Sequence, residues 1–219
     1  MSAARYARGA LAATLLASAA AAAPPAAEEI AALCSNAEGP AHCGRLVEDV
    51  QLRRLPNLAT RDANTLKVTL YPAGVATFAD TEALNGGRTY SLWDFVSELN
   101  AVVLFTTDGD DASFTLLMRV NGRKYELPTE PKVSPDRQKI VTADFCATRC
   151  ANELAVWRVT RDFVHKDVVW RPAEPWTDAV ASWKDADTIA VEYRRAGETA
   201  TRSLERRLAA AGWTRVATP

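Results

Sequence analysis

The sequence PKVSPDRQKIVTADFCATRCANELAVWRVTRDFVHKDVVWRPAEPW, at residues 131–176, decides the fold. It contains three runs rich in β-branched and aromatic residues, at 139–145, 154–159 and 163–170, and each run is too short for a typical helix. The sequence SPD at 134–136 predicts a turn, because proline fixes φ and the flanking side chains hydrogen-bond nearby backbone amides. Three short strands joined by short connections predict an antiparallel β-meander.

Two motifs in this stretch resemble one blade of a β-propeller of the WD or TolB type. The first is V-S-P-D-x-x-x-I-V at 133–141, and the second is the strand L-A-V-W-R-V at 154–159, so that the likeness covers residues 131–170. The family usually has glycine after Ser-Pro-Asp, whereas this chain has Arg137. The resemblance implies a β-meander and implies nothing about activity, since folds of this kind host many functions.

The neighbouring sequence repeats the pattern. Residues 66–71 and 75–78 predict one hairpin, and Asn-Gly at 121–122 between two β runs predicts another. The units begin at Val102, Ile140 and Ile189, their second strands are 114–120, 154–159 and 200–204, and their third strands are 124–127, 163–170 and 213–216. We therefore expect a mainly β fold, an antiparallel meander of blade-like three-stranded units. A closed propeller typically has four or more blades, so an open meander, a sandwich and a small or open propeller all stay possible.

Helices are expected only near the N-terminus. One helical turn is predicted at 26–33, and a short helix is predicted at 45–55, ending before a proline. Residues 90–96 match neither pattern. Residues 203–211 have helical spacing of apolar side chains followed by Gly212, while the repeat predicts a strand there, and both interpretations stay open.

The first 19 residues predict a secretory signal peptide. Arg5 and Arg8 precede a short apolar run at 9–16, and Ala-Ser-Ala at 17–19 is typical of a cleavage site. Residues 20–33 are rich in alanine and proline and predict a flexible segment, and 34–219 predict a single β-rich domain. The short, alanine-rich leader is typical of bacteria, so we expect a periplasmic or secreted protein. Both locations are oxidising compartments.

Composition argues against a nucleic-acid partner and against a membrane-spanning segment. The chain has 26 basic and 27 acidic residues, so its bulk charge gives no reason to expect nucleic acid. After the leader, no run of 18 or more apolar residues occurs, and we expect no transmembrane segment after cleavage.

The four cysteines form two pairs that are close in sequence. Pairing of Cys34 with Cys43 and of Cys146 with Cys150 is the expected disulfide pattern for an oxidising compartment. The alternative is a zinc site that also uses His42. The spacings are not those of a zinc finger or ribbon, so disulfides are favoured and no metal is expected.

Three further groups of residues are candidate sites. Trp170, Arg171, Trp176 and Trp183 are a possible binding patch for a sugar or a partner side chain, although a corner packed on the core is favoured. Asp108, Asp110 and Asp111 carry the right ligands for calcium but lack the spacing of a calcium loop, so a solvated turn is favoured. Arg202, Arg206, Arg207 and Arg215 would suit an anionic envelope polymer, but Glu198 and Glu205 lie among them and favour a solvated face.

No catalytic signature is present. The sequence lacks GxSxG, HExxH and glycine-rich phosphate motifs, Ser134 has no evident base, and His165 lies in a strand pattern. We expect an exported cell-envelope protein that acts as a non-catalytic binding module, with an envelope protein or a glycan as partner and without a cofactor. The alternative is an envelope hydrolase or a hydrolase inhibitor whose site is assembled from distant strands. A cleft containing carboxylates or His165 would favour the enzyme, and an exposed aromatic patch would favour the binding module.

Overall fold

The computed structural model describes residues 26–82 and 87–217. The predicted signal peptide lies outside these residues. Two helices precede fifteen strands, and a single 3₁₀ turn, Ser97–Leu99, follows the fourth strand. The helices are α1 (Ala27–Cys34) and α2 (Pro40–Arg54), and the strands are β1 (Ala59–Asp62), β2 (Thr65–Thr69), β3 (Val75–Ala79), β4 (Arg88–Val96), β5 (Ala101–Asp108), β6 (Asp111–Met118), β7 (Lys124–Leu127), β8 (Lys132–Val133), β9 (Lys139–Asp144), β10 (Glu153–Val159), β11 (Val164–Trp170), β12 (Trp176–Trp183), β13 (Thr188–Arg195), β14 (Arg202–Arg207) and β15 (Thr214–Arg215).

The strands form four antiparallel sheets, which confirms the predicted mainly β fold with two N-terminal helices. The first sheet is β1-β2-β3, the second is β4-β5-β6-β7, the third is β15-β11-β10-β9-β8 and the fourth is β12-β13-β14. Within the described residues the strands do not close into a barrel. The resemblance of residues 131–170 to a propeller blade stays a prediction.

The sheets pack face to face in chain order, and the alternation of side chains along β5 shows how. Val102 and Leu104 point into a cluster shared with the first sheet. Ala101, Val103 and Phe105 point into a second cluster, which also contains side chains from the third sheet. Because successive residues of a strand face opposite sides, one strand supplies two layers of core. The second sheet is therefore buried on both faces.

The third sheet is also an inner layer. Leu154 and Val156 of β10 pack against the fourth sheet, whereas Trp157 and Val159 pack towards the second sheet. The outer face of the fourth sheet is open to solvent, and Glu192 and Arg194 lie on it. The molecule is thus a stack of four sheets with apolar interiors and a polar outer face on the last sheet.

Helix α2 lies against the second sheet, and a glycine permits the close approach. A methyl group at Gly44 would lie only 2.8 Å from the ring of Phe105 and 3.0 Å from the hydroxyl of Ser91. The predicted start at residue 45 was too late, since the helix begins at Pro40, in the N1 position that suits proline. Helix α1 covers Ala27–Cys34, where one helical turn was expected, and residues 20–25 of the predicted flexible segment lie outside the described residues.

Several strand predictions need correction. Residues 203–211 are a strand as far as Arg207 and a turn beyond it, so the helical interpretation was wrong. The last strand, β15, pairs with β11 rather than completing the fourth sheet. The fourth sheet instead begins with β12. This strand was not predicted, because the sequence before Trp176 is rich in proline. The undecided residues 90–96 belong to β4.

Candidate functional site

A large cleft in the described chain lies where three sheets and α2 meet. It encloses about 960 Å³ and is lined by the end of α2, residues 94–98, residues 130–137 and the end of β12. A volume of this size is in the range that takes a small organic ligand or a short oligomer. The cleft is therefore the candidate functional site.

A β-bulge places the central carboxylate of the cleft. Leu92 pairs with Leu104 and Asp94 pairs with Val103, so β4 carries one extra residue at this point. As a result Trp93 and Val96, three residues apart, pack into the same core cluster, which a regular strand does not allow. Asp94 pairs with Val103 and therefore lies on the same side of the sheet as Trp93 and Val96, where it lines the cleft.

The carboxylates of the cleft differ in their acid strength. Burial raises the pKa of Asp94, and the neighbouring charge of Glu130 adds to this, although the amide of Phe95 donates a 2.7 Å hydrogen bond to the carboxylate. The pKa of Glu98 is lowered by hydrogen bonds from its own amide and from Ser97. The cleft thus combines one carboxyl group whose pKa is raised with one whose pKa is lowered.

Two cations accompany these acids. Lys132 forms an ion pair with Glu130 at 2.8 Å, and both side chains remain partly exposed. Arg137 is exposed at the rim, and its positive charge helps to lower the pKa of Glu98. The lining therefore carries three carboxylates and two cations, an excess of one negative charge when all of them are ionised.

One aromatic side chain is held rigidly in the lining. The indole Nε1 of Trp183 donates a 2.8 Å hydrogen bond to the carbonyl of Lys132, and the side chain is half-buried. On the other side of the cleft, Gln51 of α2 donates to the carbonyl of Trp93 at 2.6 Å. These bonds fix both walls, because each ties a side chain to the backbone of a different element.

The turn at 134–137 forms the rim and has the geometry of the predicted SPD turn. The carboxylate of Asp136 accepts hydrogen bonds from the hydroxyl of Ser134 at 2.5 Å and from the amine of Lys139 at 2.8 Å. Arg137 has a φ of +62°, a conformation that favours glycine, and this is the position at which the propeller family has glycine. The hydroxyl of Ser134 is used within the turn, where it donates to the carboxylate of Asp136 and to the carbonyl of Lys139.

Both predicted disulfides are present. Cys34 is bonded to Cys43 and Cys146 to Cys150, and no free cysteine occurs among the described residues. The zinc alternative is wrong for these positions, since all four sulfur atoms are in disulfides. In residues 26–82 and 87–217 no three His, Cys, Asp or Glu side chains converge to hold a metal ion.

The four members of the predicted binding patch lie in different surroundings. Trp176 is buried and stacks on Tyr193 with ring centroids 3.9 Å apart, so the core interpretation applies to it. Trp170 packs at the edge of Trp176, and Arg171 forms an ion pair with the buried Glu153. Only Trp183 lines the cleft. A continuous exposed aromatic surface of these four side chains is therefore not formed.

Two of the three aspartates that were considered as calcium ligands form ion pairs with arginines. Asp108 and Asp111 are paired across a tight turn, and they form ion pairs with Arg88 at 2.9 Å and with Arg149 at 2.8 Å. This arrangement agrees with a solvated turn. His165 is half-buried on β11, against the ring of Phe163, and lies outside the cleft.

The C-terminal arginines have local partners. Arg202 forms an ion pair with Glu198 at 2.8 Å. Arg206 lies over the ring of Trp170 at 4.2 Å and donates to the carbonyl of Ala211 at 2.6 Å. Arg207 and Arg215 are exposed on β14 and β15. Arg206 and Arg207 are consecutive residues of β14 and therefore face opposite sides of the fourth sheet.

A buried group of charges was missed by the sequence analysis. Glu48 of α2 accepts hydrogen bonds from Arg61 and from the amide of Leu92. Asp80 accepts from Arg45 and from Arg61. The two acids and two bases balance, and they connect α2 with the first two sheets, so the group is structural.

The only signal for Asp94 in the sequence was a charged residue between two aromatic ones.

No family model, curated protein or solved structure matches the chain, so the function has to be inferred from these residues. Neither helix in the described part of the chain has the length and hydropathy needed to cross a membrane.

Proposed function

We propose that this chain is an exported binding protein of the bacterial cell envelope and that it holds an amino-sugar glycan in the cleft. The observation that carries the proposal is the lining of the cleft. A fixed indole ring, Trp183, lies in the same cavity as Asp94 and Glu130. An aromatic face packs on the apolar face of a sugar, and carboxylates accept hydrogen bonds from hydroxyl and ammonium groups.

The charge of the lining selects the type of glycan. Three carboxylates face two cations, so the cleft favours a ligand that brings positive charge. A neutral sugar would satisfy the hydrogen bonds but would leave the excess negative charge uncompensated. A polyanion such as a nucleic acid would be repelled. Partly deacetylated amino sugars supply both an apolar ring face and an ammonium group.

Export is supported by the leader sequence and by the two disulfides. Disulfides persist in oxidising compartments and are uncommon in the bacterial cytosol. Together these features favour the envelope as the place where the cleft meets its ligand.

The test is calorimetric titration of the purified protein with a pair of tetrasaccharides that share one backbone. One is the tetramer of glucosamine and the other is the tetramer of N-acetylglucosamine. We expect the glucosamine tetramer to bind at least about tenfold more tightly, since one additional charge-assisted contact is worth roughly 1.5 kcal/mol or more. Equal affinity for the two tetramers, or no heat with either, would contradict the proposal.

A matched pair of substitutions assigns the binding to the cleft. Glu130→Gln removes one carboxylate from the lining, whereas Glu126→Gln removes one from the exposed part of β7. We expect the first variant to lose most of the preference for glucosamine and the second to bind as the unaltered protein does. If both variants lose the preference equally, long-range charge rather than the cleft determines binding.

A second candidate function is hydrolysis of the same glycan. It is favoured by one observation, the presence of two carboxyl groups, Asp94 and Glu98, in the lining of a single cleft, where burial raises the pKa of the first and hydrogen bonds lower the pKa of the second. Separated pKa values are the usual mark of an acid and a base that work together. Asp94 would then donate the proton to the leaving oxygen. Release of reducing ends from the tetramers, lost in Asp94→Asn while binding persists, would establish this activity and displace the purely binding role.

A further inference from the structure

Exposed apolar side chains are concentrated at one end of the molecule. Five large apolar side chains of the described chain are exposed: Tyr71, Val75, Val120, Phe163 and Val180. The first four lie in or beside three hairpin loops, at 70–75, 119–123 and 160–163. We call these three loops the loop face. The remaining one, Val180, lies on the outer face of the fourth sheet.

Hydrogen bonds hold the three loops together although they belong to three different sheets. The amide of Tyr71 donates to the carbonyl of Arg119 at 3.0 Å, which joins the first loop to the second. The side chains of Asn121 and Arg123 both donate to the carbonyl of Asp162, at 3.2 and 2.9 Å, which joins the second loop to the third. The apolar side chains are therefore carried on one fixed surface.

The same surface is basic. Arg119, Arg123 and Arg161 lie in the second and third loops, against a single acid, Asp162. Arg123 and Arg161 are exposed. Among the described residues the side chain of Arg161 makes no hydrogen bond or ion pair within the protein, so its charge is free to meet a partner. Apolar tips surrounded by guanidinium groups are complementary to a surface that is anionic outside and apolar beneath.

We propose that the loop face docks on a lipid bilayer with anionic headgroups. The loops are the tips of three hairpins held side by side, and their exposed apolar side chains suit shallow insertion between headgroups. A tyrosine at such a tip has an apolar ring and a polar hydroxyl, the combination that is enriched at membrane interfaces. The arginines add electrostatic attraction to anionic lipids. This surface is distinct from the cleft, and the inference does not depend on the proposed glycan ligand.

Vesicle sedimentation with the full chain tests the proposal. The vesicles contain either phosphatidylcholine alone or an equimolar mixture with phosphatidylglycerol. We expect binding to the mixed vesicles, with much weaker binding to the neutral ones and a decrease as salt is raised. No binding to the mixed vesicles at low salt would overturn the proposal.

Three variants assign the contact. Tyr71→Ser, Val120→Ser and Phe163→Ser combined should weaken partitioning by roughly tenfold or more, because each removes apolar area from the interface. Arg161→Gln should weaken it about fivefold, corresponding to about 1 kcal/mol for one basic residue at an anionic surface. Val180→Ser is the matched control and should bind as the unaltered protein does. All variants share the rest of the chain, so binding through any other segment would survive in them.

Two further results would contradict the proposal. If Val180→Ser weakens vesicle binding as much as the triple variant, the loop face is not the contact. If the triple variant changes the sedimentation coefficient of the protein but not its vesicle binding, the loop face joins two copies of this chain instead. Arg161→Gln tests the loop face independently of the folding of the triple variant. Its side chain is exposed, so the substitution leaves the fold intact and a loss of vesicle binding reports on the surface itself.

Discussion

Substitution of Glu48 by glutamine is the sharpest test of how α2 is attached to the sheets. The side chain is 1% exposed, and its two oxygens accept from Arg61 and from the amide of Leu92. A glutamine of the same shape turns one acceptor into a donor. In either orientation the new NH₂ group faces an N–H group of Arg61 or Leu92, so one hydrogen bond becomes a repulsion and Arg61 loses its main counter-charge.

The expected loss follows from that geometry. Breaking a buried ion pair by removing one charge costs about 3–5 kcal/mol, and Asp80 still compensates part of the Arg61 charge, which places the loss near the lower limit. A loss of about 3 kcal/mol corresponds to a fall in Tm of roughly 6–12 °C for a chain of this size.

Urea unfolding followed by tryptophan fluorescence measures this loss. Glu205→Gln serves as the control, because Glu205 pairs with Lys184 where both side chains are 55% exposed, and we expect a change within about 0.5 kcal/mol. A loss below about 1 kcal/mol in the Glu48 variant, similar to the control, would refute the argument that this buried group holds α2 in place.

Three other predictions concern the rim, the cleft and the first disulfide. Arg137→Gly should raise the free energy of unfolding by about 0.5–1 kcal/mol by relieving a φ of +62°, whereas Asn152→Gly at φ +51° should be near neutral, because asparagine tolerates this region; urea unfolding compares them. Burial raises the pKa of Asp94, so the unaltered protein loses stability as pH rises from the ordinary aspartate pKa through the folded value. Asparagine at this position does not titrate, so the stability of Asp94→Asn relative to the unaltered protein should increase from acid to neutral pH. A difference in stability that stays constant with pH would refute the raised pKa of Asp94. Serine at both Cys34 and Cys43 should cost about 2–3 kcal/mol by the loop-entropy model, and no change in the unfolding midpoint would contradict the link between α1 and α2.

Patterns within one segment predicted much of the fold. The strands at 139–145 and 154–159 were recognisable because β-branched residues are frequent and turn residues bound them, and the structure has β9 and β10 there. The disulfides were recognisable because two pairs of cysteines lie close in sequence in a chain whose first residues predict export. Such features depend on neighbours along the chain, so one sequence is enough to find them.

Features that depend on distant residues were missed. The strand β12 was not predicted because prolines precede Trp176, and only its pairing with β13 shows that a strand begins there. Asp94 reaches the cleft through a bulge, which shifts the pairing of β4 with β5 and leaves no mark in the residue types. The cleft brings together segments from α2 to β12, and local patterns carry no information about that assembly.

The most direct test of the central claim is an NMR titration of the labelled protein with the glucosamine tetramer. The resonance to follow is the indole N–H of Trp183, which is bonded to the carbonyl of Lys132 inside the cleft. We predict a saturable shift of this resonance together with the amides of Asp94 and Glu98, and loss of the shift in Glu130→Gln. A titration that leaves the Trp183 indole unmoved while other resonances shift would show that the cleft is not the binding site.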